Sequence, residues 1–189
     1  MRLEGERRIA APRERVWAAL DDTDVLRRCI PGCDSLERDS PTAMTAAVTV
    51  RVGPVKAQFH GTLTLEDVRP PEGLRIRGRG QGGTAGVAQG EADVALVSEG
   101  EETVLRYAVD ARVGGKLAQI GARLIDQSAR AMAESFFASL ESEIAEPVED
   151  QISAASPAAA SEGPHAWSLR TAAIVLAVVA VVVLAWLFW

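Results

Sequence analysis

Apolar and polar residues alternate with period two through most of the chain as far as Val113, and that alternation predicts strands. A first strand over Arg2–Ala10 puts Leu3, Gly5 and Ile9 on one face and charges on the other, with Arg7 breaking the apolar face. Pro12 suits the first turn of a helix, and Val16, Trp17 and Leu20 form its apolar stripe. A shorter helical piece, Asp22–Cys29, stops at Pro31-Gly32. Beyond it Met44, Ala46, Val48, Val50 and Val52 share a face. So do Val55, Ala57, Phe59, Gly61, Leu63 and Leu65, with Gly53-Pro54 turning between the two strands. Pro70-Pro71-Glu72-Gly73 marks another turn, before a strand that opens Leu74-Arg75-Ile76-Arg77. Ala88, Gly90, Ala92, Val94 and Leu96 alternate with polar neighbours, and the pattern returns in Thr103, Leu105, Tyr107, Val109, Ala111 and Val113. Six or seven strands in hairpin order imply an antiparallel sheet.

After Gly114-Gly115 the period becomes that of a helix. Leu117, Ile120, Leu124, Ser128, Ala131, Met132, Ser135 and Phe136 mark one face of a helix of about thirty residues ending near Ala145. A sheet with one apolar face needs a cover, and this helix supplies it. The expected fold is therefore α+β: a helix-grip domain over residues 1–145, in which a curved antiparallel sheet of six to seven strands wraps a long C-terminal helix.

Ala172–Trp189 reads AAIVLAVVAVVVLAWLFW, with no charge, amide, Gly or Pro. About eighteen such residues cover ~27 Å of hydrocarbon, enough to span a bilayer. Trp167 would lie at the near interface, with Trp186 and Trp189 at the far one. The valine run favours a strand in water, but a lone strand in lipid leaves its backbone unpaired, so the helix is preferred. Residues 169–189 are expected to form a transmembrane anchor helix; the other reading is an apolar helix buried in a partner or a homo-oligomer. Between domain and anchor, residues 146–168 are rich in Ala, Ser, Pro and Glu and predict a flexible tether spanning about 25 Å. The N-terminal stretch has no apolar core, so it is no secretory signal, and Arg170 on the near side of the apolar run favours a cytoplasmic domain. The expected localisation is the cell membrane, single-pass, with the N-terminal domain cytoplasmic.

Net charge changes the picture only by exclusion. A formal charge of −6 and a pI near 5.0 argue against nucleic acid as a partner, and against headgroup attraction as the anchor. The two cysteines, Cys29 and Cys33, bracket a turn, and no second pair completes a structural zinc site, so they read as turn-packing thiols. His60 points away from the apolar face, and His165 falls in the tether. Glu91 and Asp110 read as outward, solvated charges. Tyr107 is expected inward, as a core tyrosine rather than a proton donor. GRGQGGTAG lacks the Lys-Ser/Thr of a phosphate loop and joins strand to strand. No catalytic residue and no metal site emerges.

The inner face is where binding chemistry is expected. Gly78, Gly80, Gly82, Ala88, Gly90 and Ala92 stand where a solid core would place Leu, Ile or Phe, and Gly121 adds to them from the helix. Small side chains facing one another either draw the layers together or leave a cavity, here on the order of a few hundred Å³. The close-packing alternative has the glycines bending the sheet under a mobile loop over Gly80–Gly90. A cavity would be lined by Val50, Phe59, Leu63, Gly78, Gly80, Ala88, Gly90, Ala92 and Tyr107 from the strands. Leu117, Ile120, Gly121, Leu124, Ile125, Ser128 and Met132 would line it from the helix, with Gly90 and Ala92 opposite Gly121, Leu124 and Ile125.

Several segments carry a family resemblance. They are Leu3-x-Gly5, then Ile9-x-Ala11-Pro12-x-x-x-Val16-Trp17-x-x-Leu20-x-Asp22, and Leu26-x-x-Cys29-Ile30-Pro31-Gly32-Cys33-x-x-Leu36. Later come Gly53-Pro54-Val55-Lys56-Ala57-x-Phe59-x-Gly61, Gly86-x-Ala88-x-Gly90-x-Ala92, Gly114 through Gly121, Arg123-Leu124 and Phe136-Phe137. Together they resemble the carbon monoxide dehydrogenase CoxG family of the START/Bet v 1-like (SRPBCC) superfamily across nearly all of residues 1–145; Thr23 departs from the family's Asp-Pro. The resemblance implies a hydrophobic cavity and association with a CO dehydrogenase-type molybdenum hydroxylase. It also implies a membrane-anchored, non-enzymatic carrier of a hydrophobic ligand, menaquinone or another prenyl-quinone. The alternative is an anchoring or assembly adaptor with its working surface outside, around Arg27, Arg28 and the Cys29–Cys33 turn.

Overall fold

A computed structural model describes residues 2–145 of the chain. The strands are β1 (Arg2–Ile9), β2 (Cys33–Ser40), β3 (Ala43–Val52), β4 (Val55–Arg69), β5 (Gly73–Gln81), β6 (Val87–Glu99) and β7 (Glu102–Gly114). The helices are α1 (Arg13–Asp21), α2 (Thr23–Cys29) and α3 (Ala122–Ala145). The strands form one antiparallel sheet in the order β1-β7-β6-β5-β4-β3-β2. Hairpins link β2 through β7, while α1 and α2 carry the chain from one edge of the sheet to the other. The expected α+β architecture with a long C-terminal helix is present. Its transmembrane part, residues 169–189, and the tether lie outside the described residues, among which no helix is long and apolar enough to cross a membrane.

Local chemistry explains the element ends. Asp22 accepts hydrogen bonds from the backbone N–H of Asp24 (2.8 Å) and Val25 (3.2 Å), satisfying donors that the first turn of α2 cannot pair internally. Thr103, fully buried, donates to the Ala11 carbonyl at 2.7 Å and ties the entry of α1 to β7. Curvature comes from irregularities in the long strands. A bulge interrupts β4 between Glu66 and Arg69, where Asp67 takes φ 49°, and two more interrupt β2. The period-two pattern does not reveal β2: Leu36 is its sole buried residue, because it is a polar edge strand.

The covering helix corrects the sequence reading in phase. Its buried residues are Ile125, Ala129, Ala133, Phe136, Phe137, Leu140 and Ile144, while Ala131 and Ser135 are exposed and Leu124 is 46% exposed. The stripe that starts at Leu117 in the sequence runs unbroken through Gly121. In the structure Leu117–Ile120 is a separate 3-10 turn, and Gly121 takes φ +98°, which restarts the helix at Ala122. The true stripe is displaced by one residue, about 100° of rotation. The alternative of a mobile loop over Gly80–Gly90 also gives way. β5 runs to Gln81 and β6 starts at Val87, joined by a short 3-10 turn at Gly83–Ala85.

Arg7, which breaks the pattern of β1, fastens the helix to the sheet. Its Nε donates to Glu141 at 2.6 Å and its Nη1 to Glu134 at 2.9 Å, and its guanidinium lies 6.0 Å from the Phe137 ring centre. Phe137 in turn meets Tyr107 at 5.7 Å, and Tyr107 lies opposite Gly5, where a Cβ would fall 2.5 Å from its hydroxyl. Two residues beyond Glu141, Glu143 pairs with Arg28 of α2 at 2.6 Å.

Two expected outcomes follow from these contacts. Arg7→Ala, losing two carboxylate partners and the ring contact, is expected to cost about 1–2 kcal/mol in chemical denaturation. A neutral result would show that the Arg7 contacts do not help hold α3 to the sheet. Burial pushes the Cys29 thiol up to about 12 and Cys33 up to about 11, reinforced by Glu143 and Asp34 respectively. Cys29 is therefore expected to alkylate at pH 8 more than about a hundredfold slower in the native than in the unfolded chain. Rapid labelling would contradict its turn-packing role.

Candidate ligand-binding site

Strand register brings the small inner-face residues together. Gly90 pairs with both Gly78 and Ala111, and Ala88 pairs with Gly80. Gly80 also pairs with Gly61, and Gly61 with Ala46. The result is a band of Gly and Ala crossing β7, β6, β5, β4 and β3. Ala92 borders the band between Val109 and Ile76, and Leu63 closes the Gly78 row against Met44. Gly61, Ala46 and Ala111 belong to it but are not among the site residues expected from the sequence. Their small size is visible there, but only the register shows that they are neighbours.

Of the residues expected to line a cavity, Val50, Phe59, Leu63, Ala88, Ala92, Leu117 and Ile125 are buried in the core, as is Gly80. Gly78, Gly90, Tyr107, Ile120, Ser128 and Met132 are half-buried. Gly121 and Leu124 do not belong: both are exposed, and a Cβ on Gly121 would meet nothing within 4 Å. Gly90 and Ala92 therefore do not face them.

Close packing accounts for part of the glycine content. A Cβ on Gly78 would come within 2.9 Å of Leu63 Cδ2, and one on Gly82 would fall inside the Phe59 ring. Leu63 and Phe59 thus lean over the glycines of the neighbouring strand. A Cβ on Gly61 would approach the Arg79 carbonyl at 3.3 Å.

The chemistry here is that of binding. Burial, with the Glu134 charge second, raises the Tyr107 phenol above its usual range, so it keeps its proton and its hydroxyl can donate to a carbonyl or anionic acceptor as well as accept. Among the described residues no group of three or more His, Cys, Asp and Glu could hold a metal ion. Among the described residues, several open grooves lie on the outer face of the sheet. One of about 550 Å³ has Ala95 and Ala108 in its floor, and its rim charges answer one another: Arg75 with Asp93 at 2.8 Å, Arg106 with Glu6 at 3.4 Å. His60, exposed as expected, borders another such groove beside Thr62 and Arg79. Glu91 and Asp110 are likewise outward. Arg27 and Arg28, the proposed adaptor surface, are engaged by Asp24 and Glu143.

Comparison with known proteins agrees with this architecture. A conserved protein from Geobacillus kaustophilus is 31% identical, with a TM-score of 0.73 over 77% of this chain and 95% of that one. A START superfamily protein from Mycobacterium smegmatis (15% identity, TM-score 0.60, 76% and 96% covered) shares the fold. So does the ZhuI aromatase/cyclase from Streptomyces sp. R1128 (14%, 0.54, 76% and 93%). No curated protein matches the chain. The family model for CoxG, the G-subunit of carbon monoxide dehydrogenase, matches residues 5–145, which take in the sheet, α1, α2 and α3. The chain belongs to the CoxG family and has a START-like fold.

Proposed function

We propose that this chain carries a hydrophobic small molecule, a prenyl-quinone such as menaquinone, between a membrane and a CO dehydrogenase-type molybdenum hydroxylase. The observation that carries the reading is the Gly/Ala band on the inner face, in a chain whose family is named for that enzyme. A flat apolar ring needs a wall with few projecting side chains, and the band offers one beyond the reach of Leu63 over Gly78. Leaving lipid for water costs on the order of 25 cal/mol per Å² of apolar surface, so a carrier must replace lipid contacts with its own. The apolar run 172–189, acting as an anchor, would keep the domain beside both donor and acceptor of the ligand. Among the described residues, the band itself is built of Gly and Ala. Recruiting the partner enzyme to the membrane is part of the same role.

The test is a paired measurement on Gly90→Leu and Ala92→Phe. Overpacking a filled core costs typically ~1–3 kcal/mol. A binding space accepts the added side chain, so the melting temperature is expected to hold while prenyl-quinone binding falls at least tenfold. Strong destabilisation with unchanged binding would mean that the band serves close packing, and would remove the basis for the carrier.

A further inference from the structure

The two ends of the sheet differ in charge. At one end lie the β3–β4 turn, the β5–β6 connection and the passage from β7 into α3. Residues 50–59, 78–90 and 111–125, which build this end, hold Arg51, Lys56, Arg79, Arg112, Lys116 and Arg123 and not one Asp or Glu. All six are exposed, and among the described residues none forms an ion pair, although Asp34 lies near Lys56 and Arg112 borders a groove with Glu91 and Asp110. The opposite end gathers Glu66, Asp67, Glu72, Glu99, Glu101 and Glu102, and there Arg8, Arg75 and Arg77 are each held by carboxylates.

The basic end is also the apolar one. Val87 (55% exposed) and Leu124 (46%) are two of the three large hydrophobic residues exposed among those described. Glycines draw its segments together: a Cβ on Gly115 would meet the Gly86 Cα at 2.5 Å, so the β5–β6 connection and the end of β7 touch backbone to backbone. Val87 and Arg112 are thereby set on one surface with Lys116.

We propose that this end docks on an anionic bilayer surface. Unpaired cations around projecting aliphatic side chains match lipid phosphates above an acyl boundary, where each class of side chain finds its partner. An acidic protein would answer the cations alone. The apolar run 172–189 places lipid within reach, and in this the inference rests on the membrane part of the proposed function. The anchor by itself does not set orientation. α3, 24 residues and about 36 Å long, starts at the basic end and carries Glu143 in its last turn to Arg28 of α2. Docking would turn the Ala88–Gly80 margin of the band toward the membrane.

Lys56 and Lys116 are the chain's two lysines, so acylation reports on this surface alone. The full chain is reconstituted into phosphatidylcholine vesicles, with or without phosphatidylglycerol, and lysine acetylation is followed by mass spectrometry. Acetylation of both lysines is expected to slow at least fivefold with the anionic lipid, and to recover in 1 M salt, where the Debye length is about 3 Å. Arg112→Glu with Arg123→Glu, checked for folding by circular dichroism, is expected to abolish the protection. Val87→Ser with Leu124→Ser should weaken it without altering net charge. Equal rates in the two vesicles would overturn the proposal, as would protection that needs an added acidic protein. Prenyl-quinone binding measured on the same vesicles separates the two readings. Lost lysine protection with binding intact removes the docking surface only, and protection without binding removes the carrier.

Discussion

Antiparallel register is the constraint on which the rest of this structure depends. Gly78 against Gly90, Gly80 against Ala88 and Gly61 against Ala46 are matches that no single strand specifies, and a slip of one residue would send every one of them to the outer face. With the register fixed, the small residues line up across five strands and the sheet can bend there. The bulky residues, Ile76, Leu65, Val94 and Val109, are left to make the solid core beside them. The two-residue turn at Gly53-Pro54 holds the pairing of β3 with β4, and the Gly86–Gly115 contact holds the ends of β6 and β7 together.

The cover is then fastened at its sides. Arg7 reaches Glu134 and Glu141 from β1, Arg28 reaches Glu143 from α2, and Phe137 packs on Tyr107. These contacts bear on the rim of the sheet and on the last three turns of α3. None of them crosses the Gly/Ala band. The covering helix of this START-like fold is thus tied to the sheet and to α2 through its last three turns.

Much of the fold is legible in the sequence because burial on one face imposes a period, and β3, β4, β6 and β7 show it over ten or more residues. The strand β2 is not, since it has one buried side chain and little to distinguish it from a loop. Nor is the phase of α3, because a helical period cannot be carried through a glycine with positive φ; the sequence misplaces Leu124 and Gly121 for that reason. Arg7 looks like a flaw in β1 because its partners stand more than a hundred residues away. Net charge misleads in a similar way. A total of −6 conceals an end where six cations gather on three segments that hold no Asp or Glu, which only the folded topology assembles.

The central claim is that the band forms one wall of a space for an apolar ligand, and native mass spectrometry tests it most directly. Residues 1–145, expressed without the apolar run in a host that makes prenyl-quinones and kept free of detergent, should retain one bound molecule with a prenyl-quinone's mass. The same preparation of Ala92→Phe should be empty. A wild-type domain that is folded and empty, or that carries the same mass in both forms, would contradict the account.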